Sequence, residues 1–225
     1  MRLVAEGAGT ALLVGIGTGA MVLSNGLTEL RLWALPVAWF LAVTLPILLF
    51  ARVSGAHLNP VVTLALAIRR RLPTNEVAPY IAAQVVGAFA GSATVLAVVG
   101  NGDRLGATTP TGNLLWDFLG EAAFAFFLVL VVVIVVEDGA GRGHWRLLLP
   151  GAVVAASTYV LGPWTRSSLN PARTVAPAVL SGVYTDLGLY LLSAPLGALL
   201  AVLVWRWVRP TATAEGARTS PSANP

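Results

Sequence analysis

The 225-residue chain contains no cysteine and no lysine. Without thiols there can be no disulfide framework, no thiol nucleophile and no Cys-ligated metal. Only two histidines are present, His57 and His144, and they lie far apart, so a His-rich metal site is not expected. Charged residues make up 11% of the chain, against roughly 25% in a soluble domain. Hydrophobic residues make up 56% and the mean hydropathy is +0.79. That balance leaves too little charge to cover a water-facing surface, which argues against a soluble globular protein. All 14 basic residues are arginine, and they scatter between apolar blocks. This fits loops at a membrane surface better than a nucleic-acid-binding patch. No nucleophile–base pair or metal constellation stands out, so neither an enzyme nor a cofactor is expected.

What is abundant is apolar length. A membrane-spanning helix needs about 20 mostly apolar residues. Six stretches qualify, at roughly 3–24, 32–52, 77–99, 114–136, 146–163 and 186–208. The first follows Arg2 like a signal peptide, but Glu6 interrupts its start and five spans follow, so it reads as a retained helix. Residues 210–225, rich in Thr, Ala, Ser and Pro, read as a disordered cytoplasmic tail. Residues 1–209 then form a single transmembrane domain, with one repeat over about 1–100 and a second over about 113–209. If the N-terminus is cytoplasmic, ten arginines fall inside, Arg142 and Arg218 among them, and three, Arg31, Arg104 and Arg166, fall outside, with Arg173 in the interior. The excess places both termini in the cytoplasm. The all-arginine basic content and short loops point to a prokaryotic inner or plasma membrane.

Two further apolar stretches, 59–69 and 170–180, are too short to span, and each begins at an Asn-Pro pair. Proline suits the first turn of a helix because its missing N–H would be unpaired there anyway. Each stretch therefore reads as a half-helix starting at Asn-Pro. The halves echo each other. Glu6 precedes Asn59 by 53 residues (59 − 6), and Glu121 precedes Asn170 by 49 (170 − 121). Each half has three spans, an odd number, so the second must be inverted relative to the first. Interrupted segments at matching places in inverted halves point to a central pathway.

The motifs Ser54-Gly55-Ala56-His57-Leu58-Asn59-Pro60-Val61-Val62-Thr63 and Ser168-Leu169-Asn170-Pro171-Ala172-Arg173 resemble the paired signature of the major intrinsic protein family, the aquaporins and glycerol facilitators. Tyr80, Gln84, Gly87 and the two glutamates also fit, and the resemblance covers nearly the whole chain before the tail. It implies an all-α membrane protein with six transmembrane helices and two re-entrant half-helices in two inverted three-helix repeats. It also implies a homotetramer with one pore per subunit, and Glu6 and Glu121 bracing the half-helix loops. Asn59 and Asn170 would each offer an amide N–H to a passing solute while the amide oxygen caps backbone N–H groups. Two such donors at the positive ends of two helix dipoles would break a proton-conducting chain and repel cations.

The family's aromatic/arginine constriction matches Trp39, Thr158, Ser167 and Arg173. Counting at 1.5 Å per residue puts Trp39, Thr158 and Arg173 each about 4–5 Å outside the middle of the membrane. Thr158 stands where strict water channels of the family have His. Trp and Arg with two small partners resembles the glycerol facilitators and the plant nodulin-like branch, which pass glycerol or undissociated metalloid acids as well as water. Other positions pull differently. Val61 replaces Ala in the first motif and is expected to narrow the middle. Thr174 stands where glycerol facilitators usually have Asp, which points back towards water channels, whereas Leu191 and Leu192 stand near the site of a bulky aromatic pair typical of water channels and point the other way. Arg166 reads either as a second positive charge at the outer mouth or as a solvated loop residue. His57 is placed in the inner vestibule or bracing its loop, and His144 in a solvated cytoplasmic loop. The reading is therefore a passive channel for water and small neutral solutes. A strict water channel is the near alternative, and a proton-coupled transporter using Glu6 or Glu121 is the alternative of another class. The partners expected are membrane lipid, water and small neutral solutes.

Overall fold

A computed structural model describes residues 1–137 and 143–209, with backbone alone for residues 28–30. The tail from 210, and with it Arg142 and Arg218, lies outside the described residues. Among the described residues, six helices are long and apolar enough to cross a bilayer. In chain order these are α1 (Arg2–Leu23), α2 (Thr28–Ser54), α4 (Thr74–Val98), α5 (Leu114–Glu137), α6 (Leu149–Thr165) and α8 (Leu187–Val208), and two short helices, α3 (Pro60–Ile68) and α7 (Pro171–Ser181), complete the set. At 1.5 Å per residue the 22 residues of α1 rise about 33 Å, enough for a hydrocarbon core of about 30 Å. α6 has only 17 residues and gains its remaining length from a 3-10 turn at His144–Leu148. Among the described residues there is no strand.

The two halves pack alike. α1 lies on α4 and α2, and α5 lies on α8 and α6 in the same way. α2 and α6 join the halves on one flank, and α3 and α7 touch each other in the interior. In lipid there is no hydrophobic drive between helices, so they are held by close backbone approach over small residues. A Cβ on Gly87 would overlap the carbonyl of Gly7, and a Cβ on Gly197 would overlap the carbonyl of Ala122. These are the same contact in the two repeats. With an even number of spans, the start of α1 and the end of α8 reach one face, the terminal face. There Arg69, which caps α3, donates to both oxygens of Glu137 at the end of α5, at 2.7 and 2.8 Å. Trp205 of α8 donates to Glu137 at 2.8 Å, so one carboxylate ties three helix ends together. At the same face His144 is exposed, with its Nε2 3.3 Å from an Arg52 nitrogen.

The half-helices start where the Asn-Pro pairs predict. Asn59 and Asn170 are N-caps in extended conformation, and Pro60 and Pro171 follow in the first turn. The loops before them are irregular in matching ways. Ala56 and Leu58 in one, and Ser167 and Leu169 in the other, adopt left-handed φ between 45° and 57°. Such backbone survives at membrane depth only if its polar groups find partners inside the protein or in a water-filled path.

Candidate pore and its constriction

The partners are two buried carboxylates. Glu6 is fully buried and accepts four hydrogen bonds, from the Ser54 hydroxyl (2.6 Å), the backbone N–H of His57 (3.0 Å) and Leu58 (2.8 Å), and the Gln84 amide (2.8 Å). Glu121, equally buried, takes the Thr165 hydroxyl (2.5 Å) and the N–H groups of Ser168 (3.1 Å) and Leu169 (3.2 Å). Tyr80 donates to the Ser54 carbonyl at 3.0 Å, and Tyr190 to the Thr165 carbonyl at 2.8 Å. Each irregular loop is thus held by a Glu, a hydroxyl and a Tyr in the same roles.

The two asparagines are cross-linked through the two-fold. Asn59 Oδ1 accepts from Val61 N–H at 3.1 Å, and its Nδ2 donates to the Leu169 carbonyl at 2.9 Å. Asn170 Oδ1 accepts from Ala172 (3.0 Å) and Arg173 (3.3 Å), and its Nδ2 donates to the Leu58 carbonyl at 2.9 Å. An amide nitrogen has two hydrogens. One is committed across the interface, which leaves a second N–H on each. Both asparagines line a narrow lumen of about 50 Å³, room for about three to five waters at roughly 10–15 Å³ each. One wall of this lumen is the polar loops, including His57. The facing wall is apolar, with Val43, Ile47, Leu128 and Val154.

Towards the face opposite the termini the lumen meets Trp39 and Arg173, and beyond Trp39 opens a cavity of about 420 Å³ that Thr158, Arg31 and Arg166 also line. Trp39 borders both spaces. Its indole lies against Gly17 of α1, where a Cβ would come within 2.5 Å of the ring. The guanidinium carbon of Arg173 lies 4.8 Å from the Trp39 ring centroid, within cation–π range. Arg173 is fully buried and donates to the Gly106 carbonyl (3.0 Å), the Met21 sulfur (3.4 Å) and the Arg166 carbonyl (3.5 Å), while its Nε has no protein partner. The Thr158 hydroxyl is turned back to the Val154 carbonyl at 2.8 Å. Ser167 is buried with its hydroxyl 2.6 Å from that of Ser157, and it does not line the lumen.

Several expectations change with the structure. Val61 is buried in the core off the lumen, so the narrowing expected of it does not arise, and Val62 lines the lumen instead. Leu192 is 66% exposed on the outside of α8, and neither it nor Leu191 lines the lumen. Arg166 is not a solvated loop residue, because it pairs with Asp103 and is half-buried. His57 both lines the lumen and braces its loop, through its N–H to Glu6 and its Nδ1 at 3.3 Å from the Thr63 hydroxyl. The residues missed by sequence reasoning are Thr165, Tyr190, Gly197, Gly106, Met21 and Asp103. Tyr190 and Gly197 stand 110 residues after Tyr80 and Gly87 (190 − 80, 197 − 87), so alignment of the repeats could have found them.

Six spans around two opposed half-helices, with two asparagine amides lining an internal lumen, define a membrane channel. Residues 1–205 match the profile of the major intrinsic protein family. Nodulin-26 of Glycine max is 34% identical over 212 residues, covering 93% of this chain and 78% of that one. Aquaporin NIP1-1 of Zea mays is 32% identical over 214 residues, covering 93% and 75%. The X-ray structure of the aquaglyceroporin from Plasmodium falciparum superposes with a TM-score of 0.76 at 25% identity, over 91% of this chain and 94% of that one. The chain belongs to the major intrinsic protein family.

Proposed function

We propose that the protein is a passive channel for water and small uncharged solutes of the glycerol class, extending to undissociated metalloid acids, and that it excludes protons and ions. The observation that carries this reading is the pair of asparagines, each with one amide N–H spent across the two-fold and one left at the lumen. A hydroxyl passing between them accepts from both and must orient its own protons outward, which interrupts a proton wire. Trp39, Thr158 and Arg173 form the selectivity filter, and Ser167, whose hydroxyl is turned to Ser157, supports it from behind the lumen. Trp39 supplies the apolar wall for a carbon backbone, and Arg173 supplies fixed donors and a permanent charge. The small Thr158 leaves room beside them. The signature residues Asn59, Pro60, Val61, Asn170, Pro171 and Ala172 set the half-helices, and Glu6, Glu121 and His57 brace them. The two glutamates are already saturated with donors from their loops, which favours bracing over proton coupling.

The terminal face is cytoplasmic in a cell or inner membrane, and the chain assembles as a homotetramer. Stopped-flow light scattering on proteoliposomes, with sucrose and then glycerol as osmolyte, tests the function. Fast shrinkage in both with re-swelling only in glycerol is the expected result, unchanged by an imposed proton gradient. Fast water flux without re-swelling would reduce the reading to a strict water channel. Flux that requires the gradient would overturn it.

A further inference from the structure

The segment joining the two repeats is built more tightly than a connection requires. Asp103, Arg104 and Leu105 follow one another in the left-handed region, with φ of 47°, 53° and 53°. Residues with a Cβ adopt that region reluctantly, and three in a row persist only when their surroundings over-determine them. Two anchors do so. Leu105 is fully buried against Val22 and Val95. Asp103, only 10% exposed, accepts from Arg31 at 2.7 Å and from Arg166 through the same carboxylate oxygen. The Asp103 carbonyl accepts a further bond from Arg166 at 3.5 Å.

The consequence falls on Arg173. Two of its three acceptors, the carbonyls of Gly106 and Arg166, belong to the two segments that Asp103 ties together. Gly106 lies three residues beyond Asp103 (106 − 103), and Arg166 is the ion-pair partner. The third acceptor is a thioether, a weak one. We infer that Asp103 is a positioning residue for the pore arginine: by clamping Arg31 and Arg166 it holds two carbonyls on the Arg173 guanidinium and so sets the aperture beside the Arg173–Trp39 pair. This rests on Arg173 acting in the filter, as proposed above. Charge-assisted bonds from two guanidiniums to one largely buried carboxylate are strong and directional. With the carboxylate gone, Arg31 and Arg166 face each other as like charges and part. Arg173 then loses the fixed geometry of its carbonyls, and its hold on the aperture goes with them.

The test reads the ratio of glycerol to water permeability in the same proteoliposomes of the full chain. This ratio cancels the number of folded channels, so a purely structural defect does not move it. Asp103→Asn is expected to shift the ratio by about threefold or more, Asp103→Glu to return it towards the parent, and Arg166→Gln to match Asp103→Asn. Because the two substitutions break one tie, the double variant is expected to shift the ratio no further than either single. An Asp103→Asn ratio within about threefold of the parent, or additive effects in the double variant, would overturn the inference. Should Asp103→Asn fail to insert, Arg166→Gln, which leaves the Asp103–Arg31 pair, decides by the same ratio. A parent protein that passes neither water nor glycerol would instead sink the proposed function.

Discussion

A buried arginine in a membrane usually has a carboxylate beside it. Arg173 hydrogen-bonds instead to two carbonyls and a sulfur, with an indole face 4.8 Å away. Its positive charge is oriented by these partners and not cancelled by them, which is the condition for repelling cations while donating to a neutral solute. Thr158 lines the cavity beyond Trp39, with its hydroxyl already engaged by the Val154 carbonyl, and in the proposed filter it takes the place beside Trp39 and Arg173. Replacing Thr158 with His adds a ring and a second polar group to the same space. Thr158→His is expected to abolish glycerol re-swelling while water flux survives within about tenfold, since one misfitting contact of 1–3 kcal/mol discriminates by about 10–200-fold. Re-swelling that persists in Thr158→His would show that the filter lies elsewhere on the path. The packing of Trp39 against Gly17 gives a second handle. A methyl there meets the indole at 2.5 Å, so Gly17→Ala is expected to displace the ring and alter the glycerol-to-water ratio, with the indole fluorescence shifting alongside.

At the scale of elements, the half-helices depend on groups remote from the lumen. Glu6 holds two loop N–H groups, a hydroxyl and an amide, and an isosteric amide cannot accept from all of them. Glu6→Gln turns one acceptor oxygen into a donor facing donors. It is expected to cost about 2–5 kcal/mol, from bonds to a charged group worth roughly 1.5–3 kcal/mol each. A lowered melting temperature in detergent, with less folded protein recovered, is the check. Gly87→Ala strikes the helix pair itself. The clash is with a backbone carbonyl, which cannot rotate away, so α1 and α4 must separate at a cost of about 1–3 kcal/mol. Retention of full stability in Gly87→Ala would mean that the two helices do not pack as closely as their backbones indicate. Much of this level was legible in the sequence: the six spans, both Asn-Pro half-helices and the two glutamates announce themselves by length, spacing and charge. What was not legible is what depends on a single step of helix register or on distant partners. Val61 and Val62 are neighbours, and only the three-dimensional phase of α3 decides which lines the lumen. Nothing in residues 102–106 signals three consecutive left-handed residues, because the anchors that enforce them, Arg31, Arg166, Val22 and Val95, come from elsewhere in the chain.

At the scale of the molecule, the inverted repeat decides how the two faces differ. The same half-helix design enters from both sides, yet Arg173 and Trp39 lie towards the face opposite the termini, because Arg173 stands three residues after Asn170 whereas Val62 stands three after Asn59. The pore is symmetric in backbone and asymmetric in chemistry. Its orientation in the membrane then sets which compartment meets the filter first. The arginine excess on the terminal face predicts that this face is cytoplasmic and that the filter looks outward. The absence of cysteine makes the prediction simple to check, since any thiol signal comes from the residue introduced. Arg70 on the terminal face and Arg104 on the opposite face are both exposed. In intact cells, Arg104→Cys is expected to react with a membrane-impermeant maleimide without lysis, and Arg70→Cys only after lysis. The reverse pattern would invert the molecule and place the filter at the cytoplasmic mouth. Labelling of both sites in intact cells would indicate dual topology, in which the ten-to-three arginine bias no longer determines the orientation.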